Sequence, residues 1–204
     1  MTVSKQGDYY RVVADSMATK AVDFIYRLRY RGEGTITGDT FASVRTILTE
    51  QKGSERKTTK IFYREDGEIE TEVTRKNKDE SPDTTVKKFR PEREVLDIFS
   101  AVFLSRSVDW RIGLSEQFEV FTGRKTYIVT LNCLEKTQFK KNDIEIDAWV
   151  IAPAAIDPNK PDQKPRLTST RIFLSADNSK DILQIKTKTG FGTIEVLLTD
   201  FVPF

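Results

Sequence analysis

The stretch "KIFYREDGEIETEV", Lys60 to Val73, holds two runs of alternating apolar and polar residues joined by Asp66-Gly67. Alternation with a period of two is the mark of a strand with one buried face, because successive side chains leave the backbone on opposite sides. Asp-Gly supplies the positive φ angles that a tight hairpin turn demands, so the segment reads as an antiparallel β-hairpin. The same grammar recurs outward from it. In "FIYRLRYRGEG", Phe24, Tyr26, Leu28 and Tyr30 share one face while Arg27, Arg29 and Arg31 line the other. Ile144, Ile146, Ala148 and Val150 oppose Asp143, Glu145, Asp147 and Trp149, and Ile194, Val196 and Leu198 oppose Thr193, Glu195 and Leu197. "LQIKTKTGFGTIEVLL" places Gly190 and Gly192 between the last two strands. No helix follows that Gly-x-Gly to receive a phosphate, so it reads as a turn.

One segment departs from this period. In "PEREVLDIFSAVFLSRSVDW", Val95, Ile98, Phe99, Val102 and Phe103 recur at helical spacing, with Pro91 and acidic residues toward the start. A helix over Val95 to Arg106 amid some ten strands must bury its stripe, and a curved sheet offers the surface. The expected fold is therefore all-β and mainly antiparallel, a long curved or barrel-like sheet wrapped around one short helix. We expect a single domain over residues 1–204, with residues 1–8 flexible and a proline-rich loop inserted at 152–167, where "APAAIDPNKPDQKPR" carries four of the seven prolines. "RKNKDESPD", residues 75 to 83, reads as a second, charged loop.

Composition restricts the chemistry. Lys and Arg number 33 against 31 Asp and Glu, and the net charge of +2 provides no long-range field for polyanions, so no nucleic-acid partner is expected. Histidine is absent from the 204 residues, which removes the usual general base near neutral pH and the commonest metal ligand. The single cysteine, Cys133, sits in the strand-like "IVTLNCLEK" and reads as a packed thiol. We expect no enzyme activity, no cofactor and no metal. Apolar runs stay short of the ~18 residues of a membrane helix, so the chain is expected to be soluble, and a monomer. Met1 is followed at once by polar "TVSKQGD", which suits a natural start and a start replacing a removed leader equally.

Three segments together resemble domain-of-unknown-function family 3108, a bacterial family of mostly exported proteins. "YRLRYRGEGTITGDTFASVRT" is similar to that family's opening hairpin, and "VLDIFSAVFLSRS" to its central short helix with an Asp, a small residue and a terminal Arg. "STRIFLSADNSKDILQIKTKTGFGTIEVLLTD" resembles its closing run of strand, acidic turn, strand, glycine and strand. The chain departs from the pattern at Ala176 and Ile182, near positions often acidic and proline respectively. The resemblance implies export to the periplasm or the inner face of the outer membrane, and a curved sheet closed by a helix. It brings no catalytic residues.

Two kinds of site are then open. The interior of a curved sheet suits an apolar or amphipathic envelope molecule such as an acyl chain, and Tyr26, Leu28, Tyr30, Phe99, Val102, Phe103 and Trp110 are the residues expected to face it. If that interior is solid, the protein docks an envelope protein partner, and Arg27, Arg29 and Arg31 form an anion or partner surface. The alternative for these arginines is a solvated face answered by cross-strand carboxylates. Asp143, Glu145 and Asp147 stand roughly 6.5 to 7 Å apart along one strand face, the spacing of a cation or acid/base site and equally of a solvated face. A carboxylate pair alone hydrolyses glycosides in other proteins, so a glycan hydrolase is the enzyme alternative.

Overall fold

The computed structural model describes residues 2–17, 28–78, 80–141, 144–189 and 192–197. Seven consecutive strands form one antiparallel sheet in sequence order: β1 (Thr2–Gln6), β2 (Tyr9–Met17), β3 (Leu28–Thr37), β4 (Ser43–Lys52), β5 (Glu55–Tyr63), β6 (Ile69–Lys76) and β7 (Asp83–Phe89). One helix among the described residues, α1 (Ile98–Ser107), follows. A second sheet holds β8 (Ser115–Phe121), β9 (Thr126–Lys141), β10 (Ile144–Ile156), β11 (Thr170–Ser175), β12 (Ile182–Thr189) and β13 (Gly192–Leu197), again with sequence neighbours side by side. Among the described residues the fold is thus mainly antiparallel β with one short helix, its strands divided between two sheets. Contacts gather into two compact units, residues 1–100 with 121–125 and residues 101–120 with 126–204, so the chain passes between them three times.

The opening hairpin is β5–β6, with Tyr63 paired to Ile69. Its turn is wider than a two-residue loop: Arg64 N–H donates to the Glu68 carbonyl at 2.9 Å, Gly67 N–H to the Arg64 carbonyl at 2.9 Å, and only Gly67 takes a positive φ, of 81°. This is a type I turn closed by a left-handed glycine, which needs one positive φ rather than two. At the other end of the chain Thr189 pairs with Gly192, which joins β12 to β13; Gly190 lies outside the described residues.

In the first unit one sheet face is apolar. Val12, Gly34, Thr46, Ile61 and Thr71 lie in register across β2 to β6 and all are buried. Phe99, 6% exposed, lies on the backbone of β3, where Gly32 and Gly34 leave it room: a Cβ at Gly34 would stand 2.4 Å from the Phe99 ring, and one at Gly32 2.8 Å. Ile61, Ile69, Val95 and Phe121 form a second part of this core, with Phe89 against Phe121 edge to face at 5.2 Å. In the second unit Trp110, Leu131, Cys133, Ile151 and Leu174 pack together. Cys133 is a packed thiol there, and burial pushes its pKa up.

Three expectations are corrected. Residues 2–6 are not loose but strand, because the Gly7 turn, at φ 60°, folds β1 back onto β2 from Thr2↔Val13 to Gln6↔Tyr9. The proline-rich loop begins later than 152. Residues 152 to 156 continue β10 along β9, and Pro153 is tolerated because β11 pairs only as far as Ile151, so the missing N–H removes no bond on that side. The helix begins at Ile98 rather than Val95, because Asp97 caps it.

β10 also changes the parity of its buried residues. Ala148 and Val150 are buried, then Ile151, Pro153 and Ala155, with a register shift against β9 between Val150 and Ile151. The extra residue of the shift is Leu134 on β9, since Val150 pairs with Glu135 and Ile151 with Cys133, while β10 runs on along β11 without a break; β9 changes phase there, and β10 buries Val150 on one face and Ile151, beside Trp149, on the other.

Candidate functional site

Asp97 is fully buried and stands just before α1, at the end of an extended segment. Its carboxylate accepts the Ser100 N–H at 2.6 Å, the N-cap bond that the helix terminus requires, and the Thr46 hydroxyl. Its own N–H donates to Ser43 Oγ at 2.7 Å, and Ser43 and Ser100 share a hydroxyl bond of 2.8 Å. Burial raises the pKa of Asp97, and the donors from Ser100 and Thr46 pull against that rise. Nearby, the Tyr63 hydroxyl is buried beside Thr46 and Asp97 and makes no bond of full hydrogen-bond geometry among the described residues. Burial, then the charge of Asp97, push its pKa upward.

Tyr63 also lines a cleft of about 600 Å³ in the first unit. The cleft is assembled from the β3–β4 turn, the β5–β6 turn and the segment from Pro91 to Val95. Val44, Ile69 and Val95 give it an apolar floor, and Glu65, Glu92 and Glu94 form its exposed lip. Tyr9, 46% exposed, stands at its side. The volume lies within the range of small-molecule sites, roughly 300–1,000 Å³.

Of the residues expected to face one interior, Phe99 and Trp110 belong to the cores of different units. Phe99 fills the core of the first unit against Gly32 and Gly34. Trp110 fills that of the second, where its indole N–H donates to the Ser105 carbonyl at 2.9 Å. Val102 and Phe103 are partly buried, and the Arg106 guanidinium lies 5.7 Å from the Phe103 ring centroid. Tyr30 is 41% exposed although it shares the parity of Gly32 and Gly34, because it lies beyond the part of β3 that Phe99 covers. Tyr26 and Arg27 lie outside the described residues, as does the side chain of Leu28.

Of the arginine stripe, Arg31 is answered across the strands. Arg31 donates to both oxygens of Asp15 at 3.0 Å, on the directly opposed residue of β2, and Arg11 forms a two-bond pair with Glu33 at 2.8 and 3.1 Å. Arg29 is exposed and also has a partner. Glu68 and Glu72 answer Lys88 at 2.8 Å and Lys60 at 2.7 Å in the same manner. On β10, Asp147 pairs with Lys136 at 2.7 Å, and Asp143 lies outside the described residues.

In the second unit Arg106, the terminal arginine of the helix motif, holds the turn between β11 and β12. It donates to the carbonyls of Lys180 at 3.1 Å and Ser179 at 2.8 Å, and to Asp181 at 2.8 Å. Asp177 organises the same turn by accepting the hydroxyls of Ser175 and Ser179, each at 2.7 Å, and these bonds hold its carboxyl below the usual carboxylate range. This polar constellation is satisfied from within the chain.

Sequence reasoning passed over the cleft and the Asp97 hub. An Asp immediately before an apolar run of helical spacing is an N-cap signal, and Asp97 was there to be read.

The family described as "Protein of unknown function (DUF3108)" has a model that matches residues 1–199. No curated protein matches the chain. A solved structure described as a beta-barrel-like protein of domain of unknown function DUF1849 from Brucella abortus is similar at a TM-score of 0.49 and 12% identity, over 93% of this chain and 95% of that one.

Proposed function

Because the chain belongs to the DUF3108 family of proteins of unknown function, we propose, from the first unit's cleft, a non-catalytic protein of the bacterial envelope that binds an amphipathic molecule there. The observation that carries the reading is the pairing of an apolar floor of Val44, Ile69 and Val95 with an exposed polar lip. Apolar walls with a few convergent polar groups are the usual make-up of small-molecule sites. Export to the periplasm rests on the family resemblance. Binding is favoured over catalysis because the chain has no histidine and the lip carboxylates are exposed, without the burial that holds a general acid protonated.

The test is native mass spectrometry of protein purified from a bacterial envelope extract, followed by extraction of bound lipid. We expect co-purifying amphiphile that is lost from Val44→Glu, whose circular dichroism should match the wild type. Protein that is ligand-free from every extract would refute the reading. Fractionation of cells expressing the full natural reading frame tests location, and recovery in the cytosol overturns export.

A further inference from the structure

The charges around the cleft divide into committed and uncommitted ones, and the uncommitted ones share a sign. Arg64 is 3.7 Å from Glu70, and Glu68 is held by Lys88 at 2.8 Å. Arg93 has a partner as well. Glu65, Glu92 and Glu94 line the same cleft and have neither an ion pair nor a hydrogen bond among the described residues. An adjoining hollow shares Tyr9 and Thr37 with the cleft and sets Lys5 against Asp8 and Asp39, one positive against two negative side chains, so it leaves the sign unchanged. An anionic headgroup placed here would meet three free carboxylates and only cations that are already paired. A cationic one would meet three free acceptors, with the half-exposed Tyr9 ring beside them as a further surface for an ammonium group.

We propose that the cleft selects an organic ammonium amphiphile, with its charged nitrogen at the Glu65, Glu92 and Glu94 lip and its alkyl chain over Val44 and Ile69. This rests on the cleft reading given above and adds the sign of the ligand. Because the lip is exposed, salt screens the preference, which is therefore strongest at low ionic strength.

The experiment is calorimetric titration of the full chain with octylammonium, octanol and octanoate, probes of one chain length that differ in charge. Amide shifts of Val44, Tyr63 to Ile69 and Glu92 to Val95 locate the binding. We expect octylammonium to bind on the order of tenfold more tightly than octanoate at low salt, a ratio built from three exposed charge contacts. The ratio should collapse in 0.5 M salt, on the order of a few Å in screening length. Glu65→Gln, Glu92→Gln and Glu94→Gln combined should remove the preference while octanol binds as before. Equal or tighter binding of octanoate overturns the ammonium assignment and leaves the cleft reading standing. Failure of all three probes, the neutral alcohol included, overturns both. Ammonium binding that shifts amides elsewhere and spares the cleft also overturns the assignment.

Discussion

Gly34→Ala tests the closest packing in the first unit. The added Cβ would stand 2.4 Å from Phe99 Cδ2, 2.8 Å from Cγ and 3.1 Å from Cβ, so the clash falls on the root of the side chain and a rotation of the ring cannot relieve it. The first contact is about 1 Å inside the ordinary carbon–carbon separation of roughly 3.5 Å. Overpacking of this kind costs about 1–3 kcal/mol, and the better strand propensity of alanine returns roughly 0.5–1. We expect a net loss of about 1–2 kcal/mol. Phe99→Ala alone should cost about 3–5 kcal/mol through the cavity it leaves. In that background the added methyl group has space, so introducing Gly34→Ala should stabilise by roughly 0.5–1 kcal/mol. The two positions would then be coupled by about 2 kcal/mol, well within the range for residues in direct contact. Urea unfolding of the four proteins, with m-values compared to check that each unfolds in the same way, supplies the cycle. A Gly34→Ala cost that is the same with and without Phe99 would refute the claim that the glycine exists to seat that ring.

Three further outcomes follow from the polar groups. Burial holds the folded-state pKa of Asp97 above its unfolded value near 3.9, so protonation favours folding; that contribution is complete below about pH 3.9 and is lost as pH rises through the raised value. Asp97→Asn removes the titration, and the stability difference, wild type minus variant, should fall across that window and be flat above it; a difference that rises with pH contradicts the assignment. Tyr63→Phe deletes a buried hydroxyl without a bond of full hydrogen-bond geometry among the described residues and should stabilise the free protein by about 1 kcal/mol in thermal or urea unfolding, whereas a loss of that size would show that the hydroxyl is paired. Arg106→Ala should cost about 2 kcal/mol and speed amide exchange at Lys180 and Asp181, and Arg106→Lys should recover little of it, because a single ammonium cannot reproduce the guanidinium fork. Unchanged exchange at that turn would show that Arg106 does not hold it.

What the sequence made legible was whatever is encoded locally. The Lys60 to Val73 hairpin and the outward face of Arg31 follow from alternation and one glycine, and the paired carboxylates that answer Arg31 follow from the need to neutralise charge across strands. The helix was legible in its apolar spacing but not in its start, since Val95 keeps the spacing while Asp97 ends the extended segment. Pro153 suggested a loop because a proline is normally excluded from a ladder, and only the short reach of β11 shows why it is allowed. The cleft was invisible for a different reason. Val44, Tyr63, Ile69 and Val95 belong to separate turns and segments, and no single window of sequence contains the arrangement. Gly32 and Gly34 stand next to the arginines in the sequence, and a glycine pair on one strand face is a sign of close approach that could have pointed to Phe99.

The single-residue shift at Val150/Ile151 has a consequence for how relatives of this chain should be aligned. The residue in excess is Leu134 on β9, and its position is a place in that strand where a residue can be lost without sending the neighbouring apolar set to the wrong face, because Cys133 and Glu135 already pair with consecutive residues of β10. Length variation among relatives within this strand belongs at that position. An alignment that places a gap a few positions to either side would pair buried columns with exposed ones, and would report substitutions of valine by aspartate where the fold has made none. Removing Leu134 by design would leave both halves of β9 in register, with Leu131 and Cys133 still opposite Pro153 and Ile151 and Phe139 still opposite Ile146.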